Sequence, residues 1–436
     1  MTDYIVAIDL GTSHLTGIVG EKQSDGTFSI VAYDTEDPSS SIRRGNIYNL
    51  DDTASRIKSL IYKLESKLKG ARIERVYIGV GGQSLRTVEH TESMEIDAGA
   101  VVTADDVDKL KRQCETYIPD LLDVLDVAPS VFYLDGRREL KPEGVSCKRL
   151  EARYKLVVGR PSIRRDILNS ITERAKKEVA GIVVSPLSLS DAMLSKEEKE
   201  LGCAVVDFGA GVTSVTIYKN GELLNLSVLP LGSNLITKDI TTLSITEAEA
   251  EKLKKENGSA IIRKDDDGEK IQLDRDGSTK EIELNDLNAI IEARVTEIIE
   301  NVMARIKDVI DIKSLGNGIV LAGCASSLKN LPKMMIDKHK VNVRFLAFHR
   351  GLVSGNDELT GNPFYMTVAS VMLKGTEQCV AMPIVEQITP EEEELDVQPP
   401  IDPPIKKGKK KEKEKKKKGE GDVGWVGRLF GEIFTE

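Results

Sequence analysis

The sequence predicts an α/β protein of two similar halves facing each other across a cleft, with a small α+β module inserted into the first half. Residues 3–20, DYIVAIDLGTSHLTGIVG, read as a buried strand, a glycine turn and a second strand. The pattern returns at 203–221 as CAVVDFGAGVTSVTIYKNG, where Asp207 closes an apolar run before a glycine turn, as Asp9 does in the first copy. A repeat at this distance points to duplicated halves. Between the copies, residues 85–162 break the texture, and that break marks the module.

The elements follow in order. After the opening hairpin, TFSIVAYD supplies a third strand. Residues 53–68 place Ile57, Leu60, Ile61, Leu64 and Leu68 at helical spacing, with Gly70 as a stop and VYIGVGG as the next strand. Within 85–162, a helix after Thr103 precedes two strands, SVFYLDG and EARYKLVVG. Residues 163–179 return to an amphipathic helix carrying Ile163, Ile167, Ile171, Ala175 and Val179, and GIVVSPLS is a short strand. The second copy leads to a polar helix at 245–257 and two Asp-Gly turns within 260–284. A long helix then carries Leu287 to Ile310, GIVLAGCASSLKNLP is a strand and turn, and FYMTVASVML is a final helix.

These readings divide the chain into a first half at 1–84 plus 163–198, the module at 85–162, and a second half at 199–235 plus 312–388. Residues 236–311 form a subdomain of the second half, 389–420 a disordered linker, and 421–436 a terminal amphipathic helix. The linker joins EEEELDVQPP to a lysine block, with too few apolar residues to offset its ordering entropy.

Composition narrows the function. Of 436 residues, 40% are hydrophobic, enough for a substantial core. Lys+Arg total 61 against 71 for Asp+Glu, a net charge of -10, which argues against a nucleic-acid binder. Five cysteines without a CxxC pair fit a reducing compartment, and four scattered histidines offer no structural zinc site. The N-terminus lacks a secretion signal and no stretch reaches the roughly 20 apolar residues of a membrane-spanning helix. A cytosolic protein is expected, its extreme C-terminus excepted.

The glycine turns are the candidate site. Gly11, Thr12 and Ser13 in the first turn, and Gly209, Ala210 and Gly211 in the second, offer backbone that can approach phosphates closely. A dinucleotide fold would need GxGxxG and a following helix, whereas here an aspartate precedes the turn and a strand follows it. A bare carboxylate beside phosphate repels it, so Asp9 and Asp207 point to Mg²⁺ held with its waters. The alternative is two tight hairpins whose aspartates merely cap the turns. Gly323 would let a base or sugar lie flat on the backbone, and Glu251 with Lys254 suits ribose and base contacts unless that pair is simply solvated.

The segments DLGTSHLTG, DFGAGVTS, EAEAEKLKKENG and GIVLAGCASS stand in the order of the actin/sugar-kinase/heat-shock ATPase superfamily. Within it the chain resembles the bacterial cell-division FtsA family, from residue 4 to about 380, including PFYMTVASVMLKG. The resemblance implies actin-like (ribonuclease H-like) halves, and the inserted module sits where this family carries one. It implies ATP with Mg²⁺, Asp9 and Asp207 near metal and phosphates, the two glycine turns as phosphate loops, and Glu251 with Lys254 beside the nucleoside. Gly323, Cys324 and Ala325 would line the adenosine pocket. His14 stands where many relatives carry a lysine, Val212 and Ser214 replace Thr and Asp, and Cys324 replaces a glycine. Those departures favour nucleotide binding over efficient hydrolysis, so at most a weak ATPase is expected.

At the C-terminus, a helical wheel puts Val423, Val426, Leu429, Phe430, Ile433 and Phe434 on one face, with Trp425 at its border. That face, behind a lysine block, fits a helix lying in an anionic membrane surface; docking on the protein's own fold is the alternative. The implied protein sits peripherally on the cytoplasmic face of the inner membrane, at the division septum. It would self-associate into filaments, bind the C-terminal peptide of the tubulin-like division GTPase, and recruit other septal proteins. A metabolic small-molecule kinase or a pilus-assembly ATPase-like protein on the same fold is the rival reading.

Overall fold

In a computed structural model, residues 3–381 are described apart from 120, 129–130, 264–266, 276–277, 348–351, 355–358 and 360–361. Ile5, Val6, Ala7 and Ile8 expose no surface, so the Asp3–Leu10 strand is covered on both faces, as its unbroken apolar run requires. It pairs antiparallel with Leu15–Lys22 and parallel with Arg75–Val80. The full order across this sheet is Glu178–Val184, Arg75–Val80, Asp3–Leu10, Leu15–Lys22, Phe28–Glu36, with Val353–Ser354 at the edge. The Leu50–Glu65 helix covers one face through Ile57, Leu60, Ile61 and Leu64, and the Asn49 side chain caps it by accepting from Asp51 and Asp52 N–H.

A second sheet repeats this plan. Cys203–Phe208 pairs antiparallel with Thr213–Lys219 and parallel with Ile319–Ala322; Glu222–Leu229 continues one side and Val343–Phe345 the other. Over these five strands the directions match those from Phe28–Glu36 to Glu178–Val184 in the first sheet. The Leu284–Lys307 helix fills the core behind it with Leu287, Ile291, Val295, Ile298, Val302 and Ile306. Ile310 lies beyond the end of that helix.

The inserted segment has its own core, including Leu110, Cys114, Leu150, Ala152, Tyr154 and Leu156. Its main strands, Arg86–Glu95 and Arg149–Gly159, pair antiparallel along almost their whole length. The Thr103 capping box starts the Ala104–Glu115 helix. The module's sheet is continuous with the second sheet: Ser227 of Glu222–Leu229 pairs with Arg86.

Other elements also differ from expectation. The strand expected over GIVVSPLS ends at Val184, and Ser185–Met193 is a helix with Pro186 in its first turn, where a missing N–H costs nothing. The helix expected over 163–179 is Ser162–Leu168, followed by a π-helical turn at Asn169–Ala175 that stops at left-handed Lys176 (φ 59°). Val179 belongs instead to the Glu178–Val184 strand, opposite Val76. Pairing with the edge of the first sheet overrides helical periodicity there. The chain divides into units Met1–Ile384 and Val385–Glu436, and the second, with all of the expected linker and terminal helix, lies outside the described residues. Among the described residues, no helix is long and apolar enough to cross a membrane.

Candidate functional site

The register of the two hairpins brings the aspartates to equivalent places. Asp9 lies opposite Thr16 and beside Gly79; Asp207 lies opposite Ser214 and beside Ala322. Gly79 is small for a reason: a Cβ there would stand 2.6 Å from Asp9 Oδ1 and 2.7 Å from Ser185 Oγ. The Ser185 hydroxyl donates to Asp9 Oδ1 at 2.9 Å. Burial pushes the Asp9 carboxyl up to about 7; Ser185 opposes this and the charge of Asp207 adds to it. Burial likewise lifts Asp207 to about 6, against the pull of Ser214. Two neighbouring carboxyls held this high relax toward the ionised state when a cation arrives.

The turns themselves touch. A Cβ on Gly211 would fall 2.4 Å from Thr12 Oγ1, and that oxygen accepts the Gly45 N–H at 3.0 Å. Gly209 N–H closes its own turn on the Val212 carbonyl at 3.0 Å. The carbonyls of Gly209 and Ala210 accept from Ser233 and Asn234 N–H, seating the Ser233–Ile240 helix on the second turn. The N–H groups of Gly11, Thr12, Ser13, Ala210 and Gly211 have no backbone acceptor among the described residues. They are donors without intrachain work.

On the other wall, Gly323 (φ 79°) has no room for a side chain, since a Cβ would meet Asp207 Oδ1 at 2.5 Å. Cys324 follows at the surface, with Ala325 half-buried beside it; desolvation by the surrounding wall and then the charge of Asp207 push the Cys324 thiol up to about 11. The Glu247–Glu256 helix begins with the Thr246 capping box and presents Glu251 to three donors. Thr237 Oγ1 and Lys254 Nζ each lie 2.5 Å from Glu251 Oε2, and Lys255 Nζ lies 3.3 Å from Oε1. Burial alone would raise the Glu251 carboxyl, but Lys254 and Thr237 hold it below its usual range. Lys254 is buried and also donates to Thr237 Oγ1 at 2.7 Å, so its ammonium is occupied inside the fold.

His14 contacts Ser13 Oγ through Nδ1 at 3.1 Å and meets Phe364 edge-on at 4.8 Å between centroids. Burial, then the charge of Lys255, lowers its pKa, with Asp37 and Glu251 opposing. The ring is neutral near pH 7 and brings no fixed charge to the turn. Sequence reasoning missed Ser185, Gly79, Thr237, Lys255 and Phe364. The Ser-Pro pair at 185–186 marks a helix start, yet nothing in its spacing aims Ser185 at Asp9.

A family model described as "SHS2 domain inserted in FTSA" matches residues 82–158, and "Cell division protein FtsA" matches 204–370. The Porphyromonas gingivalis cell division protein FtsA is 34% identical over 334 residues, covering 76% of this chain and 70% of the relative. The chain belongs to the FtsA family. The Bacillus subtilis FtsA protein is 30% identical over 368 residues, covering 83% of this chain and 81% of its own length. Membership makes this a cell-division protein, not a small-molecule kinase. A solved PilM–PilN type IV pilus biogenesis complex matches with a TM-score of 0.60 at 16% identity, covering 86% of this chain and 98% of that one. That likeness shows the fold alone: mixed α/β, which in this FtsA chain carries the inserted SHS2 subdomain.

Proposed function

We propose that this chain binds Mg-ATP between its two glycine turns and uses it as a ligand for conformation and assembly. We read the matched sheets as duplicated actin-like halves. The observation that carries the proposal is the contact of Gly211 with Thr12, which, with the charge of Asp207 felt at Asp9, supports one shared site for both turns. Free backbone N–H groups in both turns suit phosphate oxygens. Asp9 and Asp207 would hold Mg²⁺ through its waters, since two carboxylates do not make a complete cage. Bound there, Mg²⁺ neutralises phosphate charge. Gly323, Cys324 and Ala325 would face the adenosine, with Glu251 oriented by Lys254. Neutral His14 leaves the phosphates with little countercharge, which favours a binding role over rapid turnover.

In this reading the ATP-bound protein polymerises, holds the C-terminal peptide of the tubulin-like division GTPase, and helps recruit later septal proteins. Residues 423–434 would fix it to anionic lipids on the cytoplasmic face of the inner membrane. Calorimetry with Mg-ATP tests the central claim. Saturable binding that Asp207→Asn weakens is expected; undiminished binding in that variant moves the nucleotide elsewhere.

A further inference from the structure

A concavity of about 460 Å³ lies between the 42–47 hairpin, the end of the Arg75–Val80 strand and the start of the Ser162–Leu168 helix. Asp9 and Leu10 are adjacent in one strand and point to opposite faces. Leu10 lines this concavity, so it opens on the sheet face opposite Asp9, joined to the first glycine turn where Gly45 N–H donates to Thr12 Oγ1. Its floor is apolar, with Leu10, Val80, Ile163 and Ile167 buried. Its rim carries Arg43, Arg44 and Arg160. A second concavity of about 370 Å³ adjoins it through shared Gln83 and Arg160, and adds Arg86 and Arg305.

The arginines are unevenly served. Among the described residues, Arg43, Arg44, Arg86 and Arg160 form no salt bridge, whereas Arg56, Arg72, Arg138 and Arg174 each reach a carboxylate. Asp166 lines the first concavity but lies 3.1 Å from Arg165. Arg305 reaches Asp308. Arg43 instead stacks its guanidinium 3.7 Å from the Tyr48 ring centroid, and Arg44 donates to Gln83 Oε1 at 3.3 Å. Arg44 (φ 50°) and Gly45 (φ 70°) form the left-handed corner of the hairpin, where Asn or Gly would normally precede the glycine. At the second concavity, Asn225 Oδ1 and Ser227 Oγ are buried without hydrogen-bond partners.

Unpaired guanidiniums match carboxylates. An unpartnered amide oxygen calls for an N–H donor, and an apolar floor calls for a bulky side chain. A lone phosphate answers only the first demand. We propose that this groove binds an extended acidic peptide of a partner protein, with a large apolar side chain over Leu10 and Ile167 and carboxylates on Arg43, Arg44 and Arg160.

The test uses full-length protein and a fluorescein-labelled peptide of alternating glutamate and leucine with one central phenylalanine, beside its glutamine analogue. Fluorescence anisotropy should saturate with the acidic peptide and stay flat with the analogue. Arg43→Gln combined with Arg160→Gln should weaken binding by roughly tenfold or more, through loss of charge-assisted contacts. Ser162→Glu keeps every arginine, adds a competing carboxylate at the rim, and should weaken binding in the same direction. Equal binding of the glutamine analogue, or undiminished affinity in both variants, overturns the proposal. Diphosphate binding that needs Arg43 and Arg160, with no peptide binding, overturns it too and leaves a small-anion site.

Discussion

Gly211 of the second glycine turn lies directly against Thr12 of the first, so close that a Cβ on Gly211 would stand 2.4 Å from Thr12 Oγ1 and 2.9 Å from Thr12 Cβ. Because Oγ1 also accepts the Gly45 N–H, Thr12 cannot turn away without losing that bond. The two glycine turns therefore meet through a missing side chain.

Gly211→Ala should wedge the turns apart while leaving both sheets folded. Mg-ATP affinity should fall by about tenfold or more, since a small misplacement of phosphate donors is costly. Adding Thr12→Gly removes the obstructing atoms and should restore part of the loss. Calorimetry on the three proteins decides it: no loss in Gly211→Ala, or no recovery in the pair, removes the contact from the binding mechanism.

The raised carboxyls of Asp9 and Asp207 make proton release a signature of cation binding. With values of about 7 and 6, the two hold about one proton between them at pH 6.5, and Mg-ATP should expel it. The sign for stability follows. Unfolded aspartates ionise near 3.9, so between that value and about 7 the folded chain binds more protons than the unfolded one. The ligand-free protein should lose stability as pH rises through this window, and the loss should level off above it. Asp9→Asn with Asp207→Asn should flatten that slope. Binding enthalpies that do not vary with buffer ionisation heat at pH 6.5 would contradict the proton count.

Much of this arrangement was legible in the sequence, because buried strands announce themselves. The apolar runs before Asp9 and Asp207, and the glycines after them, specify both hairpins through local pattern alone. The inserted segment packs a core of its own, and the change of texture it makes was visible in the sequence. What stayed hidden depends on contacts between distant segments. Ser185 reaches Asp9 across 176 positions of sequence. Gly79 matters only because a parallel strand brings it beside Asp9. Val179 reads as helical until its strand pairing with Val76 is known. Neighbouring lysines on one helix, Lys254 and Lys255, differ by a rotation of roughly 100°, and sequence could not say which was buried.

That difference separates their effects. Lys254 joins Thr237 and Glu251 inside the fold, while the Lys255 side chain remains 64% exposed. Lys254→Met should destabilise the protein by roughly 2 kcal/mol, below the cost of breaking a fully buried pair because Glu251 keeps Lys255 and partial solvent. Lys255→Gln should stay within about 0.5 kcal/mol of the parent, as exposed substitutions do. Since its charge reaches His14 and Cys324, Lys255→Gln should instead weaken Mg-ATP binding several-fold. Thermal melts and calorimetry on both variants check this, and interchangeable effects would show that the helix does not divide its lysines between fold and crevice.

The terminal segment, outside the described residues, carries the membrane proposal on sequence alone. Each large apolar side chain of residues 423–434 gains on the order of 1.5–3 kcal/mol if fully buried, less for partial immersion. Gly424, Gly427 and Gly431 tax the helix that must form. Lysines near an anionic surface each add roughly 1 kcal/mol, but Glu412 and Glu414 offset part of this and salt screens the rest. Apolar burial should therefore dominate, with charge tuning lipid preference. In liposome co-sedimentation, Phe430→Asp should remove most binding, because it sets a carboxylate at the centre of the immersed face. Replacing four lysines of the 406–418 block by glutamine should weaken binding chiefly to anionic vesicles at low salt. Unchanged sedimentation of Phe430→Asp would rule out the amphipathic anchor, and an unchanged salt response in the lysine variant would reduce the block to a spacer.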